Sequence, residues 1–428
     1  MKDAMSLQTT KTSGLDVLEL SRAIVAPETV NLDDPRRRFS GLFDQHGEYV
    51  SRAVLRRRYG EITLQPPDVD AVLHQSEFID KDAVYCGSFN PHFGHFLLET
   101  VARLWWGVET NFQGIYVWSS SDGSQIPKFA GDFFDALGLS NRVRLCDQPT
   151  QFRHVVVPDP AFEIGLRSHP EFLAIFRKVR KAALASRPKC GPSKIYLSRT
   201  NLEFGQIVGE DTLEDVFQRN GYVSASPEKL PLADQIALVS DAQEIAGIVG
   251  SALHLLVFTS GRSLTGITKA PAVDPAFHMI DGLTGTSGTY MIGVDKETCF
   301  RGRGQYGIKT PTWLEIDTVL NTLSQLGFNV YDVDARPFDA RAAEFDRLFY
   351  GNIERYMALA LEMPDSMPRR DTVNFVQRLI SNVFKTETPP EPHLFDALRF
   401  CRRLDELGFH TEATSLAEGW RLSNMARS

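Results

Sequence analysis

KIYLSRTNLEFGQIVGEDTLEDVFQRNGYVSASPEKLPLADQIALVSDAQEIAGIVGSALHLLVF, residues 194–258, is the stretch that decides the fold. It opens on KIYLSRT, a short apolar run read as a strand. EDTLEDVFQRNG has helical spacing and closes on Gly221. YVSAS is a second strand, and PLADQIALVSDA is a helix with Pro231 at its start, where a missing N–H costs little. EIAGIVG is a third strand, and SALHLLVF is a helix or helical turn. Strands separated by helices of this length build a parallel sheet with helices on its faces, the βαβαβα pattern of a nucleotide-binding unit.

Upstream, residues 83–165 repeat the alternation. AVYCG, GIYVWSS, RVRLC and HVVVP read as strands, and HFLLETVARLWW and KFAGDFFDALGL as helices. A further helix near 168–187 ends in SRPKCGPS, where Pro188, Gly191 and Pro192 break the chain. Residues 1–20 read as polar and loose, and 21–85 as short β-like runs. Downstream, 260–310 is rich in Gly, Ser and Thr and reads as strands and loops. A helix near 312–326 and a strand FNVYDV complete this part, and from about 338 the pattern is helical. The boundaries expected are 1–187, 188–335 and a helical C-terminal extension, 336–428. The fold class is α/β, and two successive α/β units of similar size suggest a pair of facing lobes.

The 428 residues hold 43% apolar and 23% charged residues, enough apolar surface to exclude disorder as the main state. Lys plus Arg is 46 against 54 Asp plus Glu, a net charge of -8 that disfavours a general nucleic-acid binder. Cys86, Cys146, Cys190, Cys299 and Cys401 are scattered, which fits a reducing compartment and no disulfide scaffold. No stretch approaches the ~18–20 apolar residues needed to cross a bilayer. Nor do the first twenty residues carry a signal-peptide core. The expectation is a cytoplasmic protein, soluble or peripheral at the inner membrane face. Two basic runs, 36–38 and 56–58, read either as solvated faces or as contacts for an anionic acceptor or membrane surface.

Three constellations carry chemistry. The first is NPHFGHFLLETVARLWW, residues 90–106. On a helix at about 100° per residue, His95, Glu99, Arg103 and Trp106 share one face. Leu97, Val101, Leu104 and Trp105 take the other. This is either a cleft-facing stripe, with His95 and Glu99 as base and orienter and Trp106 as a platform for a sugar ring, or an exposed helix with a Glu99–Arg103 pair worth only ~0.3–0.5 kcal/mol. The second is Arg199, just past the carboxyl end of a strand, where ligands bind in open α/β sheets. Its planar fork suits phosphate, and a structural salt bridge is the alternative. The third is the turn from Gly250 into Ser251. Gly250 allows close backbone approach, Ser251 is a good N-cap, and the helix start offers free N–H groups to a phosphate. His254, one turn in, is either a ligand contact or a core histidine.

Other signals are discounted. GRGQYG (Gly302, Gly304, Gly307) fits GxGxxG but opens no helix. Asp68–Asp70 and Asp332–Asp334 each form an Asp-x-Asp pair, a pattern able to hold a metal under a diphosphate. The sequence contains no P-loop, GxSxG, HExxH or zinc spacing.

In order and spacing these stretches resemble family 61 glycosyltransferases of the bacterial capsular or surface polysaccharide type. The match runs from His95, Phe96, Glu99, Arg103 and Trp105 to the YLSR strand, Tyr196–Arg199. It continues through Gly221, Tyr222, Pro227, Glu228, Leu230, Gln235, Ile236 and Ala242 to the turn with Gly247, Gly250, Ser251, Ala252 and Leu253. Val249 stands where many members carry a histidine; either His254 takes over that donor contact or the donor site differs. Arginines that usually follow the YLSR strand are replaced by NLEFGQIVGE.

The resemblance implies a GT-B-like fold, two Rossmann-like domains facing across a cleft, with 1–187 on the acceptor side and 188–335 binding a nucleotide-sugar. It implies an inverting transfer from a UDP-type nucleotide-sugar to a glycan or lipid-linked acceptor. Catalysis would fall to His95 or Glu99. Donor binding would fall to Arg199, Glu228, Gly250, Ser251, Ala252 and His254, and acceptor contacts to Arg103 and Trp106. No cofactor or metal is expected, because arginine and a helix start can neutralise the departing diphosphate. The competing readings are a metal-dependent transferase built on an Asp-x-Asp pair and a non-catalytic nucleotide-sugar-binding or assembly module. For the C-terminal helices, packing across both domains and self-association both stay open.

Overall fold

Lys194–Leu197, Val223–Ala225, Glu244–Ile248, Ser263–Thr268 and Ser287–Ile292 hydrogen-bond into one all-parallel sheet in the computed structural model. The structure describes residues 9–331 except 13, 31–37, 59–60, 63–65, 75, 186, 188–190, 204 and 295–310, together with scattered positions from 333 to 414. Numbered in chain order, the five strands lie 2-1-3-4-5. The order reverses between the first strand and the third. At that point the connecting helices leave on opposite faces and a crevice opens beyond the carboxyl ends of the strands. Ile245, Ala246 and Ile248 are buried, as a parallel strand covered on both faces requires.

The reading of 260–310 as strands and loops is corrected by a helix, Pro275–Thr284, between the last two strands. Its ends carry ordinary stop and start signals. The Asp274 side chain accepts from the Ala276 N–H at 2.9 Å, Pro275 opens the first turn, and Gly285 closes the helix at φ +69°. No strand forms over the described residues of FNVYDV. The helix near 312–326 is Ile316–Gln325.

The second large sheet has eight strands. Glu77–Ser88, Ile115–Ser119, Val143–Cys146 and Thr150–Pro158 run parallel in the order 4-1-2-3. Thr9–Thr12, Leu15–Ser21, Ile24–Val30 and Arg38–Phe43 add antiparallel strands. The expected loose N-terminus is therefore wrong from Thr9 onward. Leu15 and Val17 alternate inward into the core, a period of two that marks a half-buried strand.

One apolar cluster runs between the two sheets. Helix Lys128–Leu137 buries Ala130, Phe133, Phe134 and Leu137, and helix Phe172–Leu184 buries Phe172, Ile175, Phe176 and Val179. Both stripes have the helical period that turns one face to the core. Phe133 and Phe176 meet Phe258, in the connection between the third and fourth strands of the parallel sheet, at ring-centroid distances of 6.4 and 5.2 Å. The 188–190 part of the expected boundary, most of 336–428, the GRGQYG segment and the Asp332–Asp334 pair lie outside the described residues. Among the described residues no helix is long and apolar enough to cross a membrane.

Candidate active site

The crevice at the switch point is a cavity of about 1130 Å³. Ser198 and Arg199, after the first strand, and Gly250, Ser251 and Ala252, after the third, form one wall. Residues 91–95 and Leu98, from the other sheet's first crossover, form the opposite wall. The two walls touch at Gly94. A Cβ there would lie 2.8 Å from Ser251 Oγ and 2.9 Å from His254 Nδ1, so only glycine fits.

The His95 wall departs from a regular helix. Phe96 N–H donates to the His92 carbonyl at 2.8 Å, four residues back. Val101 N–H then reaches five residues back, to Phe96 at 3.3 Å, while Ala102 and Leu104 reach only three, to Glu99 and Val101. This π-turn over Phe96–Thr100, followed by a tight turn, shifts the phase of everything beyond it. Two indoles pin it in place. Trp118 Nε1 donates to the Thr100 carbonyl and Trp105 Nε1 to the Asp159 carbonyl, each at 2.8 Å.

His95 faces the cavity and Glu99 stands behind it, 7% exposed. Glu99 Oε2 lies 2.7 Å from His95 Nδ1. Arg57 grips the same carboxylate through two bonds, Nε to Oε1 at 2.6 Å and Nη2 to Oε2 at 2.8 Å. Burial pushes the Glu99 carboxyl up, but the hydrogen bonds from His95 and Arg57 and the charge of Arg57 outweigh it, so it is held below its ordinary value. Arg57 Nη2 lies 3.3 Å from the same Nδ1, farther than Glu99 Oε2, and in the tautomer that donates Nδ1–H to Glu99 the lone pair sits on Nε2.

On the opposite wall Arg199 is 8% exposed. Its Nη2 donates to the Gly205 carbonyl at 3.3 Å, its Nη1 would lie 2.9 Å from a Cβ on Gly250, and its Nε is buried without a partner. Burial pulls the guanidinium down from its ordinary value, and the charge of Glu210 pulls it back. His254 also lines the cavity, and its Nδ1 is buried without a partner. Burial and the neighbouring His95 and His92 hold it down to about 3, so it is a neutral imidazole at physiological pH. Ser251 is not the N-cap. Gly250 takes that place, and Ser251 opens a 3₁₀ helix, Ser251–Phe258, without a capping bond from its side chain.

The cavity brings together His95, Arg199, Glu228, Gly250, Ser251, Ala252 and His254. It does not include Arg103 or Trp106. Arg103 is buried beneath the wall, donating to the Pro158 carbonyl and, at 3.2 Å, to the Arg52 carbonyl. Trp106 packs its ring 5.5 Å from Phe112. The phase shift after Thr100 is what removes both from the expected stripe. Asp68 Oδ1 accepts from the Asp70 N–H at 3.1 Å at the start of helix Val69–His74, a local turn bond outside the cavity lining. Among the described residues no three His, Cys, Asp or Glu side chains gather to hold a metal ion.

Three contributors were not singled out from the sequence. Arg57 is read from the sequence only as part of the basic run 56–58 and not as a partner of Glu99, which is 42 residues away with no local spacing to link them. Lys128 and Lys269 also line the cavity. Lys128 follows Pro127 at a helix start, the one legible cue to its position.

No curated protein matches this chain. The family model described as Glycosyltransferase 61 matches residues 93–267, from Phe93 beside His95 to the fourth strand of the parallel sheet. That span carries most of both walls of the cavity, and over it the chain is similar to family 61 glycosyltransferases.

Proposed function

We propose that the chain is an inverting glycosyltransferase of GT-B-like architecture, moving a sugar from a UDP-type nucleotide-sugar to a hydroxyl of a surface glycan or its lipid-linked precursor. The observation that carries this reading is that an oriented imidazole, His95, and a buried, incompletely bonded guanidinium, Arg199, line the same cavity. The acceptor hydroxyl gives its proton to His95 Nε2 as its oxygen bonds to the anomeric carbon. The bond from that carbon to the diphosphate breaks on the opposite side, and the electron pair leaves with the diphosphate. Arg199 and the N–H groups of the turn at Gly250–Ser251 stabilise the developing charge. Neutral His254 supplies one more hydrogen bond, and Glu228, exposed at the cavity edge, contacts the nucleoside.

Of the two candidate bases, the geometry favours His95. Glu99 is held by three short hydrogen bonds and kept ionised behind it, which suits an orienter. The reading needs no metal, since a fixed cation and main-chain N–H groups do the neutralising. A panel of nucleotide-sugars screened by thermal shift tests donor binding. A true donor at 100 times its dissociation constant adds about 2.7 kcal/mol. Transfer assayed with and without EDTA should be equal. Loss restored by Mn²⁺ would favour the metal-dependent rival, and binding without transfer to any acceptor would favour the non-catalytic module.

A further inference from the structure

Arg199 is anchored by a buried carboxylate that does not neutralise it. Glu210, at the start of helix Glu210–Arg219, has no exposed surface. Its Oε1 accepts from the Arg199 backbone N–H at 2.8 Å and from the Tyr196 hydroxyl at 3.2 Å. Its Oε2 is buried without a partner, as is Arg199 Nε, so the two free atoms do not meet. A negative charge placed here fixes the main chain of Arg199 and at the same time opposes any anion that Arg199 binds.

We propose that Glu210 is a proton-linked brake on the donor site: the cavity grips a diphosphate most tightly while Glu210 carries a proton, and the grip loosens as Glu210 ionises. The proposal rests on the reading of the cavity as a nucleotide-sugar site and adds a control to it. Burial pushes the Glu210 carboxyl up to about 7, against the pull of Arg199 and the Tyr196 hydrogen bond, so its charge is in play near neutrality. The groups facing it are Tyr196 from the first strand, Arg199 from the following loop and Glu214 from its own helix. Tyr196 is raised well above its ordinary value by burial and stays neutral, while Glu214 pushes Glu210 further up. A diphosphate bound to Arg199 brings further negative charge near Glu210. The linkage therefore has one sign: binding raises the proton affinity of Glu210, and a rise in pH through neutrality weakens binding. If binding raises it by one unit, the weakening approaches about tenfold.

The test uses UDP-glucose and GDP-mannose, whose diester pyrophosphates keep a constant charge from pH 6 to 8.5. Dissociation constants are measured for the full chain, wild type and Glu210→Gln, at both ends of that range. His92, His95 and His254 are common to both proteins, so the difference between the two profiles isolates Glu210. The expected result is equal affinity at pH 6 and, at pH 8.5, a severalfold to tenfold tighter grip in the Gln variant. Parallel profiles, or a variant that binds more weakly at pH 8.5, would overturn the brake and leave the donor reading standing. Failure of the wild type to bind either nucleotide-sugar at any pH would overturn the donor reading, and the brake with it. Calorimetry of the wild type at pH 7.5, in two buffers of different ionisation heat, covers the case of a variant that does not fold. Proton uptake on binding that persists when the same measurement is made on His95→Ala and His92→Ala supports the brake, and no uptake, or uptake lost in either variant, overturns it.

Discussion

On the His95 side of the cavity a buried carboxylate meets donors at each oxygen, whereas on the Arg199 side a buried guanidinium keeps an N–H without an acceptor. The first network is closed. Arg57, Glu99 and His95 satisfy one another, so the imidazole is held in one orientation. The second is open. Arg199 and Glu210 each retain an unmet atom, and a buried charge in that state is costly unless a ligand completes it. A closed network suits a group that must point the same way in every turnover. An open one suits a group that must bind and release an anion.

The sharpest way to break this contrast is to remove the imidazole. His95→Ala should cut turnover by about 10²–10⁴-fold, the usual contribution of a general base, while nucleotide-sugar binding stays within about twofold. Steady-state kinetics with parallel titration calorimetry checks both halves. Turnover retained in this variant would move the base elsewhere.

Arg199→Ala should come next. A charge-assisted hydrogen bond contributes about 1.5–3 kcal/mol, so the dissociation constant of a UDP-sugar should rise about 10–150-fold. The same titration reads it. Unchanged binding would make Arg199 a structural residue.

Arg57→Ala opens the closed network, and its effect should be smaller and pH-dependent. Glu99 would keep its burial and lose a bidentate partner, a cost of about 1–3 kcal/mol. The sign follows from the linkage. In the wild type Glu99 is held below its ordinary value, so the stabilisation is present at neutral pH and fades as pH falls through that lowered value. Thermal unfolding should show the variant least stable relative to wild type at pH 7, with the gap narrowing below about pH 4. A gap that is the same at both pH values would mean that Glu99 is not the group affected.

Trp106→Ala should have the smallest effect. The ring packs on Phe112 away from the cavity, so kcat/KM for donor and acceptor should stay within about twofold. A large rise in acceptor KM would restore the stripe expected from the regular helix.

The parallel sheet was legible because its strands are short apolar runs between helices with readable ends, such as Pro231 and Gly221. Helix Pro275–Thr284 was hidden by a Gly- and Thr-rich composition, although Asp274, Pro275 and Gly285 mark its two ends. The candidate site was legible where function sits at strand ends, at Arg199 and Gly250, and where it falls within one turn, at His95 and Glu99. It was not legible across the π-turn, because a wheel at 100° per residue has no means of recording a slip in the hydrogen-bond ladder. That slip takes Arg103 and Trp106 out of the site. Nor was Arg57 legible, since a contact between distant segments leaves no periodic trace.

The central claim is that a diphosphate rests on the open wall while the closed wall faces it across the same cavity. A crystal structure with UDP bound tests it most directly. The account predicts phosphate oxygens within hydrogen-bond distance of the Arg199 guanidinium and the N–H groups of the Gly250–Ser251 turn, with His95 Nε2 across the remaining space. UDP bound outside this cavity, or its diphosphate seated against His95 and away from Arg199, would contradict it.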